Sequence, residues 1–216
     1  MADLTLVIGN KNYSSWSLRP WLLMKMHHIA FEEILIPLYQ PDSKARLLEY
    51  SPAGLVPLLK HGDRVIWDSL AIMEYLAERF PSVHAWPVDE ASRVMARCIS
   101  AEMHSGFGAL RSQMPMNCRR QLVEVKRTAE LDKDINRVQQ IWQDCLNLHN
   151  GPFLFGDFSI ADAMYAPVVT RFNTYGVEAQ SAQIKHYQDR ILSLQPMRQW
   201  YEDARHEPHI IDSSEI

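Results

Sequence analysis

The sequence predicts a small α/β domain followed by an all-helical domain. Up to about residue 80, short runs of branched apolar residues alternate with helix-like patterns, which is typical of a layered α/β domain. Beyond Pro81 and Pro87, apolar residues recur at helical spacing and no further strand is indicated. With 216 residues, the chain is long enough to bury two such cores. We therefore assign residues 1–81 to the α/β domain, 82–89 to a linker and 90–216 to the helical domain.

The α/β domain begins with a strand followed by a helix. Residues 4–8 alternate and branch as expected for a buried strand. A helical pattern begins at Trp21 and runs to about His28. Pro20 fits the first turn of that helix, because the N–H that proline lacks would have no partner there.

Three serines, Ser14, Ser15 and Ser17, lie between this strand and this helix. A helix N-terminus has unpaired backbone N–H groups and a partial positive charge. Serine hydroxyls at such a place either cap the helix and solvate the turn, or donate hydrogen bonds to a bound anion. From the residues alone, both interpretations stay open.

A second strand, a hairpin and a helix complete the first domain. A strand is predicted over residues 33–38, and residues 56–59 and 65–67 form a hairpin around a glycine-containing turn. Asp68 and Ser69 then cap a helix whose apolar residues keep helical spacing. The order β-α-β, hairpin, helix indicates a single layered domain.

Amphipathic helices account for the second domain. The clearest is a long helix over residues 122–148, with its apolar side chains on one face. Weaker helical patterns cover residues 90–113, 160–174 and 184–205. Ser159 and Asp162 have the spacing of a capping box, which indicates a role in folding rather than in chemistry.

Composition narrows the class of protein. The net charge of -4 offers no basic face for nucleic acid, and no apolar run approaches the length that a membrane span requires. We expect no secretory signal. Cys98, Cys118 and Cys145 are an odd number with wide spacing, which argues against a disulfide framework and favours a reducing compartment, the cytoplasm. His206 and His209 lack a third ligand, so we expect no metal.

Four motifs occur along the chain in this order: Ser14-Ser15-x-Ser17-x-Arg19, Ala53-Gly54-Leu55-Val56-Pro57, Asp68-Ser69-Leu70-Ala71-Ile72 and Gly156-Asp157-Phe158-Ser159-Ile160-Ala161-Asp162. Their content and order resemble those of the cytosolic glutathione transferase family. The first resembles most closely the zeta class, the maleylacetoacetate isomerase-like enzymes. The resemblance implies a thioredoxin-like first domain, an all-α second domain and a transferase that uses glutathione as co-substrate.

The resemblance also implies which residues bind glutathione. Asp68 would accept the α-ammonium group, and Ser69 would bind the γ-glutamyl carboxylate at a helix start. A cis bond before Pro57 would turn the Val56 backbone toward the peptide, which pairs with it like an added strand. Lys44 is a candidate for the glycyl carboxylate, although a solvated lysine on a short helix fits equally well.

By the same resemblance, a serine activates the glutathione thiol. A free thiol titrates near about 8.5, so only a few per cent is thiolate at neutral pH. A serine hydroxyl and a helix N-terminus would favour the thiolate. Ser14 takes this role, with Ser15 as the nearby reserve and Tyr13 as a rival, since some classes use a tyrosine.

The acceptor pocket is the part where the chain departs from the zeta pattern. Trp16 stands where the zeta class has a cysteine, and Leu55 where it has a glutamine. Arg171 matches an arginine that can bind a substrate carboxylate, which would permit cis–trans isomerisation of a dicarboxylic acid. Further candidate lining residues are Met103, His104, Phe107 and Met114, although methionine and phenylalanine at helical spacing are more often core.

Two other functions stay open. A non-catalytic binding or interaction module could keep this fold without its chemistry. A glutathione-dependent reductase that uses Ser14 is conceivable, although residues 1–81 contain no cysteine. We also expect a homodimer, as the family usually is, with a small electrophile as second substrate.

Overall fold

The structure, a computed structural model, describes residues 3–215 and begins with the α/β domain. Its elements in chain order are β1 (Leu4–Ile8), α1 (Ser15–Met26), β2 (Glu32–Leu35), α2 (Ser43–Tyr50), β3 (Leu58–His61), β4 (Arg64–Trp67) and α3 (Ser69–Arg79). The strands form one sheet in the order β2-β1-β3-β4, in which β1 pairs parallel with β2 and antiparallel with β3. β3 and β4 form an antiparallel hairpin. This is the thioredoxin-like domain that the sequence predicts.

Helices cover both faces of the sheet. Because side chains alternate along a strand, Val7 and Leu58 point to one face, where they pack with Leu47 of α2. Leu6 and Leu59 belong to the other face, whose apolar cluster includes α1 and α3. The start of α1 thereby comes to lie close to the end of β1. Residues 9–14 connect the two elements and end at Ser14, the first of the three serines, and they are called the serine-rich loop below.

The regular elements of the second domain are all helices, apart from two isolated β-bridges within residues 153–157. After a short 3-10 turn (Pro81–Val83) come α4 (Glu90–Ser105), α5 (Gly108–Gln113), α6 (Ala129–Leu148), α7 (Ile160–Thr174), α8 (Ala182–Ser193), α9 (Gln195–His206) and a final 3-10 turn (Asp212–Ser214). Almost every residue of α7 is buried, because α7 packs against α1, α4 and α8. Trp142 of α6 lies against the rings of Tyr165, Phe172 and Tyr187.

One apolar core runs through both domains. Leu6 of β1, Trp21 of α1, Met103 of α4 and Val169 of α7 belong to the same cluster of buried side chains. Trp21 and Trp200 meet edge-on across the domain boundary, with ring centroids 5.0 Å apart. The serine-rich loop is therefore held between two domains that pack tightly on each other.

The predicted start of α1 is wrong. The helix begins at Ser15, with Ser14 as its N-cap, and ends at Met26 rather than near His28. Pro20 lies inside the helix, where it cannot donate to the Trp16 carbonyl, instead of in the first turn. The sequence pattern places the serines in a turn before the helix, whereas in the structure Ser14 is the N-cap and Ser15 and Ser17 belong to the first turn.

The helical domain also departs from the predicted boundaries. α6 begins at Ala129 because Thr128 caps it, accepting a hydrogen bond from the Leu131 N–H at 3.2 Å. Residues 122–128 are not helical. The segment 90–113 is broken at Gly106 into α4 and α5, and 184–205 is broken at Leu194 into α8 and α9. In contrast, α7 spans residues 160–174, as predicted.

Smaller differences concern the strands. β2 is shorter than residues 33–38, and β3 begins at Leu58, after the cis Val56–Pro57 bond, rather than at Val56. Within residues 3–215, no helix combines the length and the apolar composition that a bilayer-spanning segment requires. In this described range, His, Cys, Asp and Glu side chains form no group of three or more that could hold a metal ion.

Candidate active site

A cavity of about 560 Å³ lies between the two domains, beside the serine-rich loop. Its lining residues come from that loop, α1, α2, the loop before β3, α5, α7 and the carboxyl-terminal segment. Three cationic side chains, Lys44, Arg111 and Arg171, line it. Among the described residues, no aspartate or glutamate does. The cavity is therefore suited to a ligand with negative charge.

Ser14 and Ser15 are both buried and both line the cavity. The Ser14 hydroxyl donates to Ser17 Oγ at 2.8 Å, and Ser17 Oγ also accepts from the Gly9 N–H at 3.1 Å. Ser15 Oγ accepts from Arg171 Nη2 at 3.2 Å. Both hydroxyls thus stand at the N-terminus of α1, and the one on Ser15 is in contact with a guanidinium.

Tyr13 also lines the cavity, but its hydroxyl already forms hydrogen bonds with two other side chains. It donates to Glu215 Oε1 at 2.6 Å and accepts from Arg119 Nη2 at 2.5 Å. Burial, together with the Glu215 hydrogen bond, raises the pKa of Tyr13. The Tyr13 hydroxyl is thus already bonded on both sides, whereas the Ser14 hydroxyl is bonded only to another serine.

The Trp16 indole forms part of the cavity wall between two arginines. The guanidinium carbons of Arg19 and Arg111 lie 4.3 Å and 4.7 Å from the centre of its ring. The His104 ring meets the indole edge-on at 5.4 Å. Burial lowers the pKa of Arg19 and of Arg111, so the protein holds these cations at a cost in desolvation that the indole partly offsets.

Asp68 and Ser69 stand next to this stack rather than in the cavity lining. Asp68 caps α3 by accepting from the Leu70 and Ala71 N–H groups at 2.9 Å and 3.2 Å. Its other oxygen lies 3.2 Å from His104 Nε2. The Ser69 hydroxyl is buried and accepts a long hydrogen bond from Arg19 Nη1 at 3.5 Å. Arg19 therefore connects the predicted glutathione residues to the wall of the cavity.

Val56 and Lys44 lie on the α/β side of the cavity. The bond between Val56 and Pro57 is cis, and Val56 lines the cavity while Pro57 is buried beneath it. Lys44 Nζ lies within 3.4 Å of the carbonyls of Ala53 and Gly54 and is exposed to solvent. The structure thus brings both residues to the same side of the cavity.

Arg171 reaches the cavity from α7 and is 6% exposed. It donates to the Met114 carbonyl and to Ser15 Oγ, and no carboxylate among the described residues pairs with it. Burial and the nearby Arg111 lower the pKa of Arg171 to about 10. The guanidinium is still charged at neutral pH, so it presents a buried cation to whatever occupies the cavity.

The other predicted pocket residues do not line this cavity. Met103 and Phe107 are buried in the core, at 2% and 7% exposure. Met114 contributes only its carbonyl to Arg171, and His104 is engaged with Asp68. Of the predicted acceptor-pocket residues, Trp16 and Arg171 line the cavity, and His104 contacts the Trp16 indole without lining it.

Several lining residues carried no signal in the sequence. Arg111 resembles any other arginine on an amphipathic helix. Ile211 and Ser214 reach the cavity from the carboxyl-terminal segment, about two hundred positions away from the serine-rich loop. Tyr39 and Gln40 lie in a loop whose composition is ordinary. The pattern Ser-x-Arg at Ser17 and Arg19 was the one local hint of the arginine cluster.

The fold and the site together define a class: a thioredoxin-like domain joined to an all-α domain, with helix-terminal hydroxyls facing an interdomain cavity. The family model for the glutathione S-transferase N-terminal domain matches residues 13–79. The model for the glutathione S-transferase C-terminal domain matches residues 100–203. The chain belongs to the glutathione S-transferase family.

Individual relatives agree with this assignment. A probable maleylacetoacetate isomerase of Caenorhabditis elegans is 30% identical over 169 residues, which are 76% of each chain. A stringent starvation protein A homolog of Histophilus somni is 27% identical over 150 residues, 68% of this chain and 67% of that protein. A glutathione transferase homolog from Burkholderia, solved with bound glutathione, superposes with a TM-score of 0.71 at 23% identity, covering 94% of this chain and 98% of the other.

Proposed function

We propose that this protein is a glutathione transferase that holds glutathione as its thiolate and directs it at a small, negatively charged electrophile. The observation that carries the proposal is the cavity itself. The cavity is lined by two serine hydroxyls at the N-terminus of α1 and by three cationic side chains. Among the described residues, no aspartate or glutamate lines it. Such a site stabilises a thiolate and an anionic acceptor at once.

The proposed chemistry of the thiol follows from this arrangement. Glutathione loses its thiol proton to solvent, and the Ser14 hydroxyl turns from Ser17 to donate to the sulfur. The N-terminus of α1 adds its partial positive charge. Ser15, held by Arg171, is the alternative donor. Lowering the thiol pKa by one unit requires about 1.4 kcal/mol of preferential stabilisation, which one hydrogen bond to a charged group can supply.

The peptide part of glutathione would extend from the serines along the α/β domain. Asp68 and Ser69 are the proposed partners of the γ-glutamyl group, and the Val56 backbone is the proposed partner of the cysteinyl unit. Lys44 is the proposed partner of the glycyl carboxylate. Since Asp68 is also close to His104, a bound ammonium group would complete an existing polar cluster.

Arg171 supports a finer proposal, a zeta-like cis–trans isomerisation of a dicarboxylic acid. The thiolate adds to one carbon of the double bond, and the electron pair moves onto the conjugated carbonyl. Rotation about the resulting single bond precedes elimination, which re-forms the double bond and releases the thiolate. Arg171 would bind a carboxylate of the acceptor beside Ser15, with Arg111 adding positive charge.

Glutathione titrations test the proposal directly. Calorimetry on the wild type should show saturable binding, weakened about tenfold in S69A through the loss of a hydrogen bond to a charged group. S14A should lower kcat/KM about tenfold or more, and comparison with S15A identifies the donor. Ser112 is exposed on α5, so S112A is the matched control.

The outcomes separate the alternatives. Absence of binding at millimolar glutathione would contradict the proposal. Binding without turnover of any acceptor, maleyl-type dicarboxylates first, would favour a non-catalytic module. Turnover of glutathione mixed disulfides that depends on Ser14 would favour the reductase.

We also propose a cytoplasmic homodimer. Trp67, Val94 and Met95 are large apolar side chains with about half of their surface exposed, which is typical of residues that a partner covers. A monomeric mass in solution at micromolar concentration would contradict the dimer. The cytoplasmic location is proposed because the three cysteines are an odd number with wide spacing, which favours a reducing compartment.

A further inference from the structure

The carboxyl-terminal segment, residues 207–215, is attached to the serine-rich loop by a carboxylate clamp. Glu207 Oε1 accepts from the Lys11 backbone N–H at 2.6 Å, and Glu207 Oε2 accepts from the Asn12 backbone N–H at 3.0 Å. One side chain thus binds two successive amides of the loop that precedes Ser14. Both bonds involve an ionised acceptor, the stronger kind of protein hydrogen bond.

These amides belong to the turn that places Ser14. Within the turn, the Asn10 carbonyl accepts from the Tyr13 and Ser14 N–H groups at 3.1 Å and 2.8 Å. The Lys11 and Asn12 N–H groups have no such partner inside the turn and depend on Glu207. Without it, two buried donors would have to find water or distort the turn.

The same segment has a second attachment beyond the cavity. Glu215 accepts from the Tyr13 hydroxyl at 2.6 Å and from Asn117 Nδ2 at 2.9 Å. Between the two glutamates, Ile211 and Ser214 line the cavity. The segment therefore crosses the cavity and is tied at both ends to the residues next to Ser14.

We propose that Glu207 is a positioning residue for thiol activation, holding residues 11–14 in the conformation that aims the activating serine into the cavity. This role rests on the proposed glutathione transferase activity. Glu207 touches neither of the proposed substrates. It acts through the backbone of Lys11 and Asn12. The carboxyl-terminal segment would therefore help to shape the active site and not merely shield it from solvent.

Burying the Glu207 carboxyl costs free energy, and a positioning role would explain why the protein keeps it there. Burial raises the pKa of Glu207, while the two amide hydrogen bonds and the charges of Lys11 and Arg119 act in the opposite direction. Lys11 Nζ is itself paired with Glu33 and Asp203, so Glu207 is not its main counter-ion. The clamp therefore depends chiefly on the two amides.

The test compares E207A and E207Q with the control E202A, whose exposed carboxylate on α9 pairs with Arg205. Three quantities are measured: the dissociation constant of glutathione, the pKa of its bound thiol from thiolate absorbance against pH, and amide hydrogen exchange of residues 10–15. In E207A, exchange should accelerate at least about tenfold and the thiol pKa should rise by about one unit. Glutathione affinity should change less than about twofold when it is measured well below that pKa, where glutathione binds with its thiol protonated. E207Q, with one acceptor oxygen, should be intermediate, and E202A should match the wild type.

Each outcome decides the question. An unchanged thiol pKa in E207A, or in E207Q if E207A does not fold, would overturn the role of Glu207 and leave the proposed activity intact. Loss of glutathione affinity with an unchanged thiol pKa would also overturn it, since that pattern indicates binding rather than positioning. A wild-type protein that does not lower the thiol pKa of glutathione would overturn the proposed function, and the positioning role with it.

Discussion

At the scale of single residues, the feature with chemical consequences is the burial of arginine side chains without a carboxylate partner. Arg19 and Arg171 are 1% and 6% exposed, and neither forms an ion pair with a carboxylate among the described residues. Burying a cation without a counter-ion is unfavourable, as the lowered pKa of both side chains indicates. Arg171 lines the cavity, so an anionic ligand bound there would supply the missing counter-ion, whereas Arg19 lies behind the lining, against the Trp16 ring.

Replacement of Arg171 should therefore act on the acceptor and not on glutathione. We expect R171A to raise KM for a dicarboxylate acceptor about tenfold to a hundredfold, the worth of one hydrogen bond between charged groups. R171K should recover part of the loss, because lysine keeps the charge but not the paired donors. Steady-state kinetics with both substrates measures the effect, and R205A, on the exposed side of α9, is the control.

An unchanged KM in R171A would remove the argument for the isomerase chemistry. It would leave the proposed activation of the thiol by Ser14 untouched, since the Ser14 hydroxyl is bonded to Ser17, whereas Arg171 contacts Ser15. A parallel loss of glutathione affinity would instead place Arg171 in the glutathione site.

At the scale of elements, helix caps decide where the helices begin. Thr128, Ser181 and Asp89 each accept a hydrogen bond from the N–H three residues later. Asp162 does more, since it accepts from the Ser159 N–H at 2.9 Å and from the Leu154 N–H at 3.0 Å. It thereby fixes both the first turn of α7 and the loop before it.

D162A should be strongly destabilising. Burial raises the pKa of Asp162 to about 6, so the group is ionised at neutral pH and binds both amides as a carboxylate. Loss of these bonds leaves two buried donors unpaired, which should lower the free energy of unfolding by about 2–4 kcal/mol. Urea unfolding followed by tryptophan fluorescence measures this. D157A, at an exposed neighbour, should change stability by less than about 0.5 kcal/mol, and an equally stable D162A would refute the role of the cap.

The helix caps also explain which helix boundaries the sequence predicts correctly and which it does not. α7 was predicted to the residue because its cap, its apolar pattern and its turn all agree. The start of α6 was misplaced because Leu122 and Val125 keep the phase of the helix, although the Val123 N–H is bonded to the Thr174 carbonyl at 2.9 Å. That tertiary contact outweighs a weak local preference, and periodicity does not reveal it.

At the scale of the whole molecule, Lys11 links the two domains. Its ammonium group is 2.7 Å from carboxylate oxygens of both Glu33 and Asp203, and it lies about 5 Å from the ring centres of Trp21 and Trp200. Glu33 belongs to the α/β domain and Asp203 to α9. A buried cation thus joins acidic groups from the two domains beside the serine-rich loop.

K11M should weaken this junction while keeping most of the apolar stem. Because both acidic partners are partly exposed and can be rehydrated, we expect a loss of only about 1–3 kcal/mol in the free energy of unfolding. Chemical denaturation measures it, with K185M as the control, since Lys185 pairs with Asp189 on the surface of α8. Equal stability of K11M and wild type would show that the ion pairs of Lys11 add nothing measurable to the shared apolar core that holds the domains together.

Contacts between residues that are far apart in the sequence could not be predicted from this one sequence. The motifs at residues 14–19 and 53–57 are local patterns, and each supplies residues to the lining of the cavity. The pairing of Glu207 with the amides of Lys11 and Asn12 joins positions almost two hundred residues apart. Neither end of such a contact has a distinctive composition, so only the folded chain reveals it.

The core shared by the two domains has a consequence for how this chain unfolds and evolves. Since α1 buries its apolar side chains against α7, an excised residue 1–81 fragment would expose that face to water and be prone to aggregate. Heating should accordingly melt the chain in one cooperative transition rather than two. For the same reason, an exchange of halves between distant relatives would succeed only where the facing surfaces of α1 and α7 were exchanged together.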